Sequence, residues 1–145
     1  MSAVRWLYEC DGIDWEELSI LYRIAPLGEK SAEHLRLVFG NSRFKCFLLD
    51  DAGKLIGAGR AVADGRDCSY LCDIVVHPEH QGRGLGRQLV ARLTELSAGH
   101  RKIILYANPG KEGFYRKLGF RRMLTAMARF QDEKHAIDTG LVAED

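Results

Sequence analysis

The sequence predicts an α/β (α+β) chain, a mixed central sheet of six to seven strands flanked by about four helices. Three observations carry that reading. Short apolar runs alternate with amphipathic stretches, and Gly, Pro and Asp-Gly pairs separate them. Three strand-like runs follow one another between residues 44 and 77, joined by tight turn signals. The last of these leads into an amphipathic helix and then a short apolar run, which is the order of a β-α-β unit with parallel pairing.

In chain order, "VRWLYEC" reads as a first strand ending at Asp11-Gly12. Asp14 has the position of an N-cap, and Leu18, Leu21 and Tyr22 give the following helix an apolar face up to Pro26. A second helix starts near Ser31, points Leu35, Val38 and Phe39 inward, and stops at Gly40-Asn41. Phe44 to Leu49 and Leu55 to Ala63 form a hairpin about Asp51-Ala52-Gly53. A second turn at Asp64-Gly65 leads to the strand "YLCDIVV", which Pro78 ends. Leu85, Leu89, Leu93 and Leu96 draw one stripe along a helix whose other side carries Arg87, Gln88, Arg92 and Glu95. "KIILYAN" is the following buried strand, "KEGFYRKLGF" a short helix closed by Gly119, and "RRMLTAMARF" a last strand or pair. Residues 131–145 are polar and poorly periodic, a loosely ordered tail of loop or fraying helix. One domain over residues 1–145 is the expectation.

Composition bounds the function. With 145 residues, 46% of them hydrophobic, and a net charge of +1, the chain can bury a full core and needs no polyanionic partner. Lys and Arg are interspersed with Asp and Glu, so no basic footprint for nucleic acid is present. No apolar run reaches the roughly 18 residues of a membrane span, and the first residues lack the pattern of a signal peptide, so a cytoplasmic location is expected. The four cysteines form no C-x-x-C pair and read as reduced. Cys68 and Cys72 share a strand face but would need His or acidic partners to hold a metal, and no metal is expected.

The stretch "HPEHQGRGLGRQLV" sets Gly82, Gly84 and Gly86 where the long helix begins. A dinucleotide fingerprint starting at Gly82 would need glycine where Arg87 stands, and a phosphate loop would need a Lys followed by Ser or Thr. Neither spacing is met. Glycines at a helix start still let successive amide N–H groups converge, and the unpaired first-turn donors and the dipole attract phosphate. Arg83 and Arg87 add cationic side chains beside a diphosphate held without metal. The alternative is an ordinary strain-relieving loop before a helix.

Gln81-Gly82-Arg83-Gly84-Leu85-Gly86 resembles the Q/R-x-x-G-x-G/A pyrophosphate motif of the GCN5-related N-acetyltransferases (GNAT). "NPGKEGFYRKLGF" resembles that family's N-x-x-A-x-x-F-Y-x-x-x-G-F stretch, with Asn108, Phe114, Tyr115, Gly119 and Phe120 in place and Lys111 at the usual alanine. The run from Asn41 to Gly65 is similar to the arylalkylamine (serotonin) N-acetyltransferase-like branch. The resemblance implies a GNAT fold with a β-α-β core that binds acetyl-CoA, and acetyl transfer to a primary amine in a ternary complex. It implies that Ile74, Val75 and Val76 flank the pantetheine arm like an added strand. The diphosphate then falls to Gln81, Gly82, Arg83, Gly84, Leu85, Gly86 and Arg87, with Asn108, Phe114 and Tyr115 completing the cosubstrate site.

Tyr115 is the expected general acid, because a phenol of pKa about 10 is protonated at neutral pH and can supply a proton to a departing thiolate. Asp73 is the candidate base, since it interrupts an apolar strand, and period-two alternation puts it on the face of Leu71, Val75 and His77. A structural carboxylate paired with an arginine is the alternative. His77 is a candidate proton relay or a solvated residue before Pro78. Trp15, Tyr22 and Tyr70 are candidate walls for the acceptor, and Glu29, Glu33 or Asp64 candidate countercharges, near the loop from Ala25 to Lys30. The fifth strand lacks the glutamate of relatives that acetylate protein N-termini, which favours a small-molecule amine over a peptide. A sensing module of the same fold that binds acyl-CoA without turnover is the competing reading. The acceptor and the oligomeric state, a homodimer among the options, stay open.

Overall fold

The computed structural model describes residues 3–145, gathered into two compact units, one ending at Leu105 and the other spanning Tyr106–Asp145. The first holds β1 (Arg5–Leu7), α1 (Trp15–Ile24), α2 (Ala32–Gly40), β2 (Phe44–Leu49), β3 (Leu55–Ala63), β4 (Cys68–Val76), α3 (Leu85–Leu96) and β5 (Lys102–Ile104). The second holds α4 (Glu112–Arg116) and α5 (Glu133–Asp138). No helix of the described residues is long and apolar enough to cross a membrane.

Local chemistry sets the helix starts. The Asp14 carboxylate accepts the amides of Glu16 and Glu17 at 3.1 Å each, and the Ser31 hydroxyl accepts that of His34 at 3.1 Å, each satisfying donors that a bare helix end leaves unpaired. The predicted N-cap Asp14 and the predicted helix start near Ser31 are both observed.

The five strands run in the order β1-β2-β3-β4-β5, antiparallel except for the parallel β4–β5 pair. On one face, Leu18, Leu21 and Tyr22 of α1 and Leu35 and Phe39 of α2 pack over Phe47, Leu49, Leu55, Ala58 and Val75. The predicted stripe of α3 is buried at Leu85, Leu89 and Leu93, whereas Leu96 is exposed and Val90 takes its place inside. Each fully buried leucine contributes roughly 1.5–3 kcal/mol. The close approach of α3 to the sheet depends on β3 glycines: a Cβ at Gly59 would lie 3.0 Å from Leu93 Cδ1 and 3.3 Å from Ile74 Cγ1.

β4 is bulged. Ala58 pairs with Val75 and Arg60 with Cys72, so Gly59 faces both Asp73 and Ile74. The extra residue reverses the alternation: Leu71, opposite Ala61, and Val75, opposite Ala58, point to different faces of the sheet. This corrects the expected common face of Leu71, Asp73 and Val75.

Among the described residues the sheet has five strands, not six to seven. Residues 121–130 carry no regular structure, and Met123, Leu124 and Met127 are exposed, the last at 97%. Arg, Met and Ala dominate that run, and with Thr125 its one β-branched residue and no ladder partner it has no reason to hold a strand. The five α-helices exceed the expected four because the tail forms α5, capped by the Asp132 carboxylate on the amide of His135.

The turn between β3 and β4 is held by one carboxylate. Asp64 Oδ1 accepts the amides of Arg66, Asp67 and Cys68 at 2.8, 2.7 and 3.2 Å. These bonds lower its pKa from 3.8 to about 2. A depressed carboxylate adds stability above its unfolded value and loses it as pH falls through the folded one. Asp64→Asn is therefore expected to flatten the acid limb of stability between pH 3.8 and about 2, read by urea denaturation at stepped pH. Gly59→Val is expected to cost about 1–3 kcal/mol by overpacking against Leu93, in the same measurement at neutral pH.

Candidate active site

Two features of the first unit converge at the end of β4. β5 pairs only with Cys68, Ser69 and Tyr70, so beyond Tyr70 the β5 side of β4 has no strand partner among the described residues. Ile74, Val75 and Val76 lie along this open edge. The strand then enters a single 3-10 turn, Pro78–His80, and reaches the glycine loop.

In that loop Gly82 (φ 82°) and Gly84 (φ 78°) are left-handed, a conformation that costs an L side chain about 1–2 kcal/mol. Gly84 is the N-cap of α3, and no side chain caps the helix. The first backbone bond of α3 runs from Gln88 N to Gly84 O, at 3.1 Å, so the amides of Leu85, Gly86 and Arg87 precede it. Gln81 Nε2 donates to Val76 O at 3.2 Å and ties the loop back to the strand. Arg83 bonds His80 Nδ1 at 2.6 Å, and Arg83 and Arg87 are exposed. An uncapped helix start with positive dipole, left-handed glycines and two arginines fits a diphosphate.

Asp73 is the lone non-glycine residue with positive φ (56°) among the described residues, and it occupies the bulge. The buried hydroxyl of Tyr22 donates to its main-chain oxygen. Arg60 Nε holds Oδ2 at 2.7 Å, and Lys30 Nζ lies 3.6 Å from Oδ1. The Arg60 guanidinium also donates to Ser42 Oγ at 3.2 Å, and that hydroxyl donates to Val38 O at the end of α2. Asp73 is thus paired with an arginine through Oδ2. Burial pushes the Tyr22 phenol well above 10, the Asp73 carboxylate adding to the effect, so Tyr22 stays a donor. Arg60, Lys30 and Ser42 were not predicted. One signal pointed to the pair: Arg60 and Asp73 are single charges interrupting adjacent apolar strands.

Tyr22 joins this cluster through its hydroxyl. Tyr22 is fully buried, and Trp15 packs against Phe39 and Phe47, so neither is an open wall. Asp64 is committed to its turn, and Glu29 pairs loosely with Arg23 at the surface. His77 is buried and accepts the Glu79 amide through Nδ1, which rules out the solvated reading. Tyr70 is half-buried on β4. Among the described residues no group of three or more His, Cys, Asp or Glu gathers, around Cys68 and Cys72 or elsewhere.

Within the second unit, Asn108 O accepts the Lys111 amide at 2.9 Å in a turn through left-handed Gly110, and α4 follows. Tyr115 sits between Phe114 and Phe120, both edge-on, with ring centroids at 5.0 and 6.1 Å. Gly119 (φ 95°) lets the Phe120 amide return to Tyr115 O at 3.1 Å, which fixes the aromatic trio. Desolvation raises the Tyr115 pKa above 10, so the phenol keeps its proton at neutral pH.

The five-stranded sheet with its one parallel pair, β4–β5, and the glycine-started α3 form the fold of solved acetyltransferases. The acetyltransferase (GNAT) family profile matches residues 6–120, and the chain belongs to that family. It is 39% identical over 122 residues to an uncharacterised N-acetyltransferase of Porphyra purpurea, covering 79% of this chain and 64% of that protein. Over 116 residues it is 34% identical to the chloroplastic serotonin N-acetyltransferase 2 of Oryza sativa subsp. japonica, covering 75% of this chain and 57% of that one. The chain thus spans somewhat under two thirds of these relatives. Its fold matches a solved GNAT-family acetyltransferase of Streptococcus pneumoniae with a TM-score of 0.73 at 23% identity, over 90% of this chain and 98% of the other.

The Tyr22 bond to the bulge carbonyl is testable. Tyr22→Phe leaves that part-buried oxygen without its donor and is expected to lower stability by about 1 kcal/mol, measured by urea unfolding.

Proposed function

We propose that the chain is an acetyl-CoA-dependent N-acetyltransferase that moves an acetyl group directly from the thioester to a primary amine of a small molecule. The observation that carries the reading is the uncapped start of α3 at left-handed Gly84, next to the open edge of β4. Bound there, acetyl-CoA supplies an activated acyl group, and this chain's residues hold and polarise it. Amides of residues 82–87 with Arg83 and Arg87 take the diphosphate, and the main chain of Ile74–Val76 aligns the pantetheine arm. An N–H of Val75 or Val76 donates to the thioester oxygen.

The acceptor must arrive neutral, and an alkylamine of pKa 10.4 is neutral in only about one of two or three thousand molecules at pH 7. Asp73, through Oδ1, is the proposed proton acceptor. Tyr115 is the proposed donor to the leaving thiolate, and its raised pKa suits that role. Asn108 and Phe114 complete the cosubstrate side. The serotonin N-acetyltransferase name of the Oryza relative, and the absence of an acidic residue in "KIILYAN", support a small amine over a peptide.

Thiol release from acetyl-CoA against polyamines, arylalkylamines, amino sugars and peptides tests the reading. Amine-dependent release with a small amine is expected, whereas the same background for every amine would mean a binding module without turnover. Tyr115→Phe is expected to lower turnover by about 10²–10⁴-fold while calorimetric affinity for acetyl-CoA holds. With native Tyr115 the turnover profile shows no basic limb from this group until above pH 10. Gly84→Val forces a branched side chain into the left-handed region and is expected to weaken acetyl-CoA binding by about tenfold.

A further inference from the structure

Asp73 is touched by two cations of different standing. Arg60 lies on β3, bonds Oδ2 at 2.7 Å and is braced by Ser42. Lys30 comes from the loop between α1 and α2 and stands 3.6 Å from Oδ1, beyond a good hydrogen bond. Its side chain is 23% exposed, and its Nζ lies 5.9 Å from the Tyr22 ring centroid. The Ser19 hydroxyl donates to the Lys30 carbonyl and anchors the main chain of the loop there. Arg60 is thus the fixed counterion and Lys30 the exchangeable one. A primary alkylammonium on the free oxygen of the bulge carboxylate is also the group that an acceptor amine brings to Asp73.

We propose that Lys30 is an internal acceptor: with an acetyl thioester bound and no amine substrate present, its ε-amine is acetylated in cis. The inference rests on the acetyl-transfer reading above. Nζ forms a bond to the acetyl carbonyl carbon, the carbon–sulfur bond breaks, and its electron pair stays on sulfur. The ammonium loses two protons. One ends on the released thiol, and the other passes through Asp73 to water. The product is a neutral amide that no longer forms an ion pair with the carboxylate, so acetylation also frees Oδ1 of its cation for an incoming amine.

The full chain incubated with acetyl-CoA alone, followed by peptide mass mapping, tests this. One acetyl group per chain is expected on Lys30, appearing about a hundredfold faster than on exposed Lys54, Lys111 or Lys134, which report uncatalysed acylation. The rate should not depend on protein concentration. An amine that is turned over should suppress labelling, and Lys30→Arg, which keeps a cation beside Asp73, should abolish it. Tyr115→Phe should slow labelling of Lys30 and leave Lys54 unchanged. Turnover of an added amine with Lys30 labelled no faster than Lys54 would overturn the internal acceptor and leave acetyl transfer standing. A Lys30 rate rising with protein concentration would overturn it in favour of transfer between copies. Neither turnover nor labelling would overturn both readings.

Discussion

The bulge at Asp73 is the constraint on which the facing of the end of β4 depends. A left-handed aspartate costs about 1–2 kcal/mol, less for Asp than for most residues because its short side chain can bond locally. Against that cost stand a charge-assisted bond from Arg60, worth about 1.5–3 kcal/mol, and the buried Tyr22 bond to the same residue's carbonyl, worth about 1 kcal/mol. The contacts outweigh the strain, so the extra residue is held in place. Its consequence reaches past the bulge: Val75 turns into the core under α1 while Leu71 packs on the α3 face.

Around that point the two faces of the sheet divide the labour. The α1/α2 face supplies Tyr22, Lys30 and Ser42, which bring a hydroxyl, an ammonium and a second hydroxyl to one carboxylate–guanidinium pair. The α3 face supplies the anion site, because the buried Leu85, Leu89 and Leu93 dock the helix over the β3 glycines and leave its uncapped start beside the end of β4. Burial at Gly59 and chemistry at Gly84 are therefore linked through one rigid helix. A side chain at the first would displace the second.

Much of the fold was legible because its signals are local. Asp14 and Ser31 bond amides two or three residues away, the hairpin turn lies within its own few residues, and the α3 stripe needs only helical period. The second-unit motif was legible for the same reason, since Gly119 and Phe120 return to Tyr115 within five residues. Residues 121–130 were misread because a strand exists only with a partner, and spacing along one segment carries no information about that partner.

The sequence by itself determined the Asp14 cap, the helix start near Ser31, the hairpin, the parallel β4–β5 crossover and the glycines at the start of α3, all of which follow from bonds between near neighbours or from periodicity. Tertiary structure alone decided that β4 gains a residue opposite Gly59, that Asp73 meets Arg60 across strands and Lys30 from a loop forty-three positions earlier, and that Tyr22 caps the bulge from beneath. Those contacts join groups far apart in the chain. No local preference encodes them, because their energy exists only once the sheet and helices have packed.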